Sequence, residues 1–128
     1  MRLLLDTHTL IWWLMNNDSL PQSTRTVIGH VESEVAVSAA TAWEIAIKYK
    51  LGKLPDVVAL VTDIPGQLAR EGFDELPVSV LHGQMAGALP LHHKDPFDRM
   101  LIAQALADDL TLVSNDTQFD AYGVTRLW

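Results

Sequence analysis

A chain of 128 residues with 16 acidic and 9 basic side chains, for a formal charge of −7, is long enough for one domain with its own core. It is too acidic to hold nucleic acid on a broad basic surface. The absence of cysteine and an apolar share of 48% exclude disulfides, thiolate metal sites and a disordered chain, and suit a reducing cytoplasm. Any polyanionic substrate must therefore meet positive charge that is locally grouped, or that a bound metal or a basic partner supplies.

In chain order, Arg2-Leu3-Leu4-Leu5-Asp6 reads as a buried strand. Asp6 ends that apolar run and no small-residue cleavage site follows, so no secretion signal is expected. Thr7 to Met15 carries an apolar helical face. Its longest apolar run, Leu10 to Met15, is too short to span a bilayer, and no membrane is expected as a partner. Pro21 to Glu32 reads as a second helix with proline near its start. Val35 to Ser38 is a short strand running into a helix from Ala39 to Leu51, which Gly52 closes. Val57 to Glu71 reads as helical with a break at Pro65-Gly66. Phe73 to Val78 then holds a brief strand, followed by a helix from Ser79 to Ala88. Asp95 caps the clearest helix, Pro96 to Asp108. Leu110 to Ser114 and Val124 to Leu127 are the last strands. Strands alternating with helices predict an α/β fold, a three-layer α/β/α sandwich on a mainly parallel sheet, in a single domain over residues 1–128.

The chemistry lies in the acids. Asp6 and Asp116 each follow an apolar strand at its carboxyl end, the edge where open parallel sheets form their sites. Each also reads as the N-cap of the segment after it, and the two roles are compatible. Glu44 sits in a helix of mostly apolar residues, Ala39, Ala40, Ala42, Trp43, Ile45, Ala46 and Ile47. A surface pair with Lys48 is one explanation. The other is a carboxylate with little solvent, in need of a partner or a metal. In Asp95-Pro96-Phe97-Asp98-Arg99, capping accounts for Asp95 and leaves Asp98 unexplained. The preceding His92-His93-Lys94 offers a metal ligand or a phosphate contact, although such residues more often form a solvated loop.

If Asp6, Glu44, Asp98 and Asp116 meet, each pair at ~5–6 Å repels by about 3 kcal/mol at an effective dielectric near ~20. Divalent cations, protonation or nearby lysine and arginine must offset that. Oxygen ligands without cysteine suit Mg²⁺ or Mn²⁺ better than Zn²⁺.

Four blocks then become familiar together: Leu3-Leu4-Leu5-Asp6-Thr7-His8, Trp43-Glu44-Ile45-Ala46-Ile47-Lys48 with Leu51-Gly52-Lys53-Leu54, His93-Lys94-Asp95-Pro96-Phe97-Asp98-Arg99, and Val113-Ser114-Asn115-Asp116. In this order and spacing they resemble the PIN-domain family, and within it the VapC toxins of type II toxin–antitoxin pairs. The likeness runs from Asp6 to the terminal Arg126-Leu127-Trp128. It implies a PIN-like fold and Mg²⁺- or Mn²⁺-dependent endoribonuclease activity, with metal-activated water attacking the phosphodiester. It carries the catalytic and metal-binding roles to Asp6, Glu44, Asp98 and Asp116, and supporting roles to Thr7, Ser114 and Asp95. Lys48 and Arg99 become candidates for phosphate contact or carboxylate orientation. It also implies an RNA substrate, a homodimer and a small VapB-like antitoxin, with Trp12 or Trp13 available for a partner groove and the other in the core. The alternative is a catalytically silent PIN-like module that binds RNA or protein. A haloacid-dehalogenase-type phosphatase fits poorly, because His8 stands where its second aspartate belongs. A receiver domain fits poorly too, because Asp6 stands alone and no lysine follows Lys94.

Overall fold

The computed structural model describes residues 1–128. Its centre is β1 (Arg2–Leu5), whose Leu3, Leu4 and Leu5 are all fully buried. A strand buried on both faces needs parallel neighbours with helices above and below, and β1 has them. It pairs in parallel with β2 (Glu34–Ser38) on one side, Leu3 opposite Val35, and with β4 (Thr111–Val113) on the other, Leu4 opposite Leu112. Strands β3 (Asp74–Leu76) and β5 (Arg126–Leu127) complete a five-stranded parallel sheet of order β3-β2-β1-β4-β5.

Alternation along β1 decides which helices cover which face. Leu3 and Leu5 join a cluster with Val35, Val37, Leu10, Ile11, Ile28, Ile45, Leu60 and Leu68. This face is covered by α1 (Thr7–Leu14), α2 (Gln22–Ile28), α3 (Ala39–Lys50), α4 (Val58–Thr62) and α5 (Ile64–Glu71). Leu4 points the other way, into Leu101, Ile102, Ala105, Leu112 and Phe119. That second face lies under α7 (Pro96–Asp108), against which α6 (Val80–Ala88) packs. Each fully buried aliphatic side chain contributes about 1.5–3 kcal/mol, so the two clusters account for both outer layers.

The topology places the site. The chain steps outward from β1 to β2 to β3, then returns over the opposite face through α6 and α7 to β4 on the far side of β1. Strand order therefore reverses between β1 and β4. The segments leaving those strands, α1 and a 3-10 turn at Thr117–Tyr122, diverge to opposite faces. Such a divergence opens a crevice at the carboxyl edge of the sheet.

Two local expectations are corrected. The second helix stops at Ile28 rather than Glu32, because the chain turns back at His30–Ser33 to start β2, with Ser33 Oγ donating to the Val27 carbonyl at 2.6 Å. The interruption between α4 and α5 falls at Asp63, not at Pro65-Gly66. Pro65 occupies the first turn of α5, where its missing N–H costs nothing, and Asp63 Oδ1 accepts from Gly66 N at 3.0 Å. Finally, both Trp12 and Trp13 pack partly buried against the core, Trp12 on Trp128 and Trp13 on Phe73. The exposed tryptophan is Trp43, at 64%.

Candidate active site

Asp6 is the first residue past β1. Its backbone N–H donates to the Val113 carbonyl at 3.1 Å, which ties it to the end of β4. Its Oδ1 accepts from Thr9 N at 2.8 Å, capping α1. Asp116, beyond β4, repeats this design: Oδ1 accepts from Gln118 N at 2.9 Å while its own N–H donates to Ser114 Oγ at 3.0 Å. In both residues one carboxylate oxygen is taken by a cap and the other is not, so cap and ligand are compatible roles.

Glu44 arrives from α3 and is buried. Thr7 Oγ1 donates to its Oε1 at 2.6 Å, and Lys48 Nζ pairs with its Oε2 one helical turn away. The Glu44–Lys48 pair considered from spacing therefore exists, but with its carboxylate in the interior rather than on a surface. Burial alone would lower the Lys48 pKa; the hydrogen bond and charge of Glu44 raise it instead, helped by Asp95 and Asp98. Lys48 stays an ammonium at the rim of the acids.

Asp98 comes from the first turn of α7. The cap there is Asp95, whose Oδ1 accepts from Phe97 N and Asp98 N at 2.9 and 3.1 Å, so the Asp98 carboxylate is free of backbone duty. Burial first, then the charges of Asp95, Glu44, Asp6 and Asp116, push its pKa from the ordinary 3.8 up to about 7. Asp98 thus feels the charges of the other three acids singled out by their sequence positions, Asp6, Glu44 and Asp116, which come from the ends of β1 and β4 and from α3.

Arg99 does not join them. Its guanidinium is buried and faces away, donating to the carbonyls of Pro90 and His93 through Nη1 and of Ala86, Gly87 and Leu89 through Nη2, at 2.8–3.4 Å. The expectation of a phosphate or carboxylate contact is corrected: every bond made by its end nitrogens goes to a main-chain carbonyl, including the orphan carbonyls at the end of α6.

His93, which the solvated-loop reading undervalued, takes the vacated place. Its Nε2 lies 2.9 Å from Asp98 Oδ2 and 3.8 Å from Asp116 Oδ2. Yet this buried nitrogen has no hydrogen-bond partner. The one sequence signal was proximity, since His93 precedes the Asp95 cap by two residues.

Chemically, the cluster offers hard carboxylate oxygens and one imidazole nitrogen, with Lys48 beside Glu44 and Arg126 within reach of the Asp116 charge as nearby cations. Ligand atoms of His93, Asp98 and Asp116 all lie within 4.8 Å of one another. Hard oxygens that outnumber the nearby cations, beside a nitrogen without a partner, fit a divalent cation.

Comparisons with known proteins place the chain in a family and match its fold. The PIN-domain family profile matches residues 3–124. The chain is similar to Ribonuclease VapC16 of Mycobacterium tuberculosis, with 41% identity over 59 residues. That match spans 46% of this chain and only 42% of the relative. Among solved structures, VapBC2 from Rickettsia felis, bound to a DNA fragment from its promoter, superposes with a TM-score of 0.74 at 16% identity, covering 99% of this chain and 98% of that one. FitAcB from Neisseria gonorrhoeae does so with a TM-score of 0.67 at 20% identity, over 98% and 96%.

Proposed function

The chain belongs to the PIN-domain family, and from that premise we propose that it is a metal-dependent endoribonuclease, the toxin of a type II toxin–antitoxin pair acting in the cytoplasm. The observation that carries this reading is the Asp98 carboxyl. Four other carboxylates and its own burial hold its pKa near 7, a cost that a bound cation removes.

In this reading Asp6 and Asp116 hold Mg²⁺ or Mn²⁺ through the oxygens their caps leave over, Asp98 does so through its free carboxylate, and Glu44 completes the acidic wall. When bound, the ion polarises a phosphoryl oxygen, activates water and stabilises the leaving oxygen. Thr7 and Lys48 fix the Glu44 carboxylate from two sides, and the Lys48 ammonium faces an incoming phosphate. Ser114 accepts from the Asp116 backbone and so sets the turn that aims this acid. Asp95 holds the start of α7 and adds negative charge beside Asp98.

Trp43 and Phe97 neighbour Glu44 and Asp98 in sequence. Their rings meet edge to face at 5.2 Å beside a groove formed with Val78, Pro96 and Met100. The exposed Trp43 ring, backed by the half-buried Phe97, is a natural rest for an unstacked base of single-stranded RNA. The net charge of −7 supports a basic partner, and we assign that role to a small VapB-like antitoxin on a homodimer of this chain. No helix is long and apolar enough to cross a membrane.

The test is incubation of the purified chain with a labelled RNA pool, with Mg²⁺, with Mn²⁺ and with chelator. Cleavage is expected with either metal, leaving simple phosphate monoester ends rather than cyclic phosphates, because external water is the nucleophile. Chelator and the Asp6→Asn variant should both leave the RNA whole. Intact RNA from the wild type under every condition would favour the silent binding module instead.

A further inference from the structure

Building on the metal-dependent reading above, we infer that His93 is a nitrogen ligand of the divalent cation, sharing it with Asp98 and Asp116. The distances carry the point. Two donors each ~2.1–2.2 Å from an octahedral ion lie ~3 Å apart when adjacent and ~4.3 Å apart when opposite. Nε2 stands 2.9 Å from Asp98 Oδ2 and 3.8 Å from Asp116 Oδ2, inside that range. At 2.9 Å a donor aimed at Asp98 would make a strong hydrogen bond. Nε2 makes none, and it is sealed from solvent. A buried polar atom is rarely left without a partner, and this one lies among carboxylates without bonding to any of them.

The ring is held in place for the role. The His93 backbone N–H donates to the Tyr122 hydroxyl at 2.7 Å, and that hydroxyl donates to the Pro90 carbonyl at 2.8 Å. Arg99 holds the His93 carbonyl at 3.1 Å, and Phe119 lies against the ring. Ligation requires a bare Nε2 and therefore a proton on Nδ1. The group facing Nδ1 is the Asp95 N–H at 3.5 Å, the outer limit of a hydrogen bond, so moving the proton sacrifices one weak contact. An imidazole among oxygen donors shifts preference from Mg²⁺ toward Mn²⁺.

Pulsed electron paramagnetic resonance of the Mn²⁺-loaded full chain tests this directly. The wild type should show nitrogen hyperfine coupling from one imidazole that changes with isotope-labelled histidine and disappears in His93→Gln, or in His93→Ala if the first variant does not fold. Calorimetric titration should show Mn²⁺ affinity falling at least about tenfold in the variant, with Mg²⁺ affinity falling less. Bound Mn²⁺ without nitrogen coupling in the wild type overturns the ligand role and leaves the carboxylate site standing. Failure of the wild type to bind Mn²⁺ at all overturns both.

Discussion

Asp98→Asn is expected to abolish RNA cleavage and, in the same protein, to stabilise the metal-free fold above neutral pH. Loss of a carboxylate that places the cation should cost on the order of 10²–10³-fold in rate or more, as for other groups that stabilise transition-state charge. The stability gain follows from the same burial and crowding. Asp98 has a folded-state pKa of about 7 against the ordinary 3.8, and its side chain is 24% exposed, so solvent screens it little. A raised carboxyl favours the folded state most below its unfolded pKa and loses that contribution as pH climbs to the folded value. Over about 3 pH units, at ~1.36 kcal/mol for each, the loss is about 4 kcal/mol.

The difference in melting temperature between Asp98→Asn and wild type, in chelator, should therefore be small near pH ~4 and grow to the order of 10 °C by pH ~8. Mn²⁺ should close the gap by raising the wild type alone. A pH-independent difference would mean that Asp98 is not crowded by the other acids.

Arg99→Met should destabilise the fold by about 3–5 kcal/mol, the usual cost of breaking a buried charged network, and Arg99→Lys by a smaller amount. Lysine keeps the charge but cannot reach five carbonyls with a planar fork. The carbonyls of Ala86 and Gly87 belong to the last turn of α6 and those of Leu89, Pro90 and His93 to the loop after it. Removing the guanidinium leaves the buried Ala86 carbonyl without its side-chain donor and frees the loop that carries His93. Urea denaturation reads the effect. A phosphate-binding Arg99 would instead leave stability unchanged and raise KM, which the geometry contradicts.

Much of this was legible in the sequence because it rested on local signals. The three leucines of β1 have no polar neighbour to alternate with, so they read as a strand buried on both faces. Asp95-Pro96 encodes its own helix start, and α7 begins and ends where expected. Asp6 and Asp116 were findable because a strand end followed by an acid is a short-range pattern. The packing of Arg99 and His93 was not legible for one shared reason. Arg99 turns inward because the carbonyls at the end of α6 and in the loop after it need donors, and α6 meets α7 only once both have packed. The ring of His93 is then set by Arg99, Tyr122 and Phe119, from three separate places in the chain. No window around either residue contains those partners. The early end of α2 belongs to the same class, since the need to bring Glu34 alongside Met1 (a 2.8 Å hydrogen bond) overrides helix propensity.

The most direct test of the account is titration of Mn²⁺ into the metal-free wild type and into Asp6→Asn, Asp98→Asn and Asp116→Asn, acids from the ends of β1 and β4 and from α7. Saturable binding in the wild type that weakens at least about tenfold in all three variants is the predicted result, because residues so distant in sequence then act on a single ion. Wild-type affinity retained in any one of them would contradict a shared site.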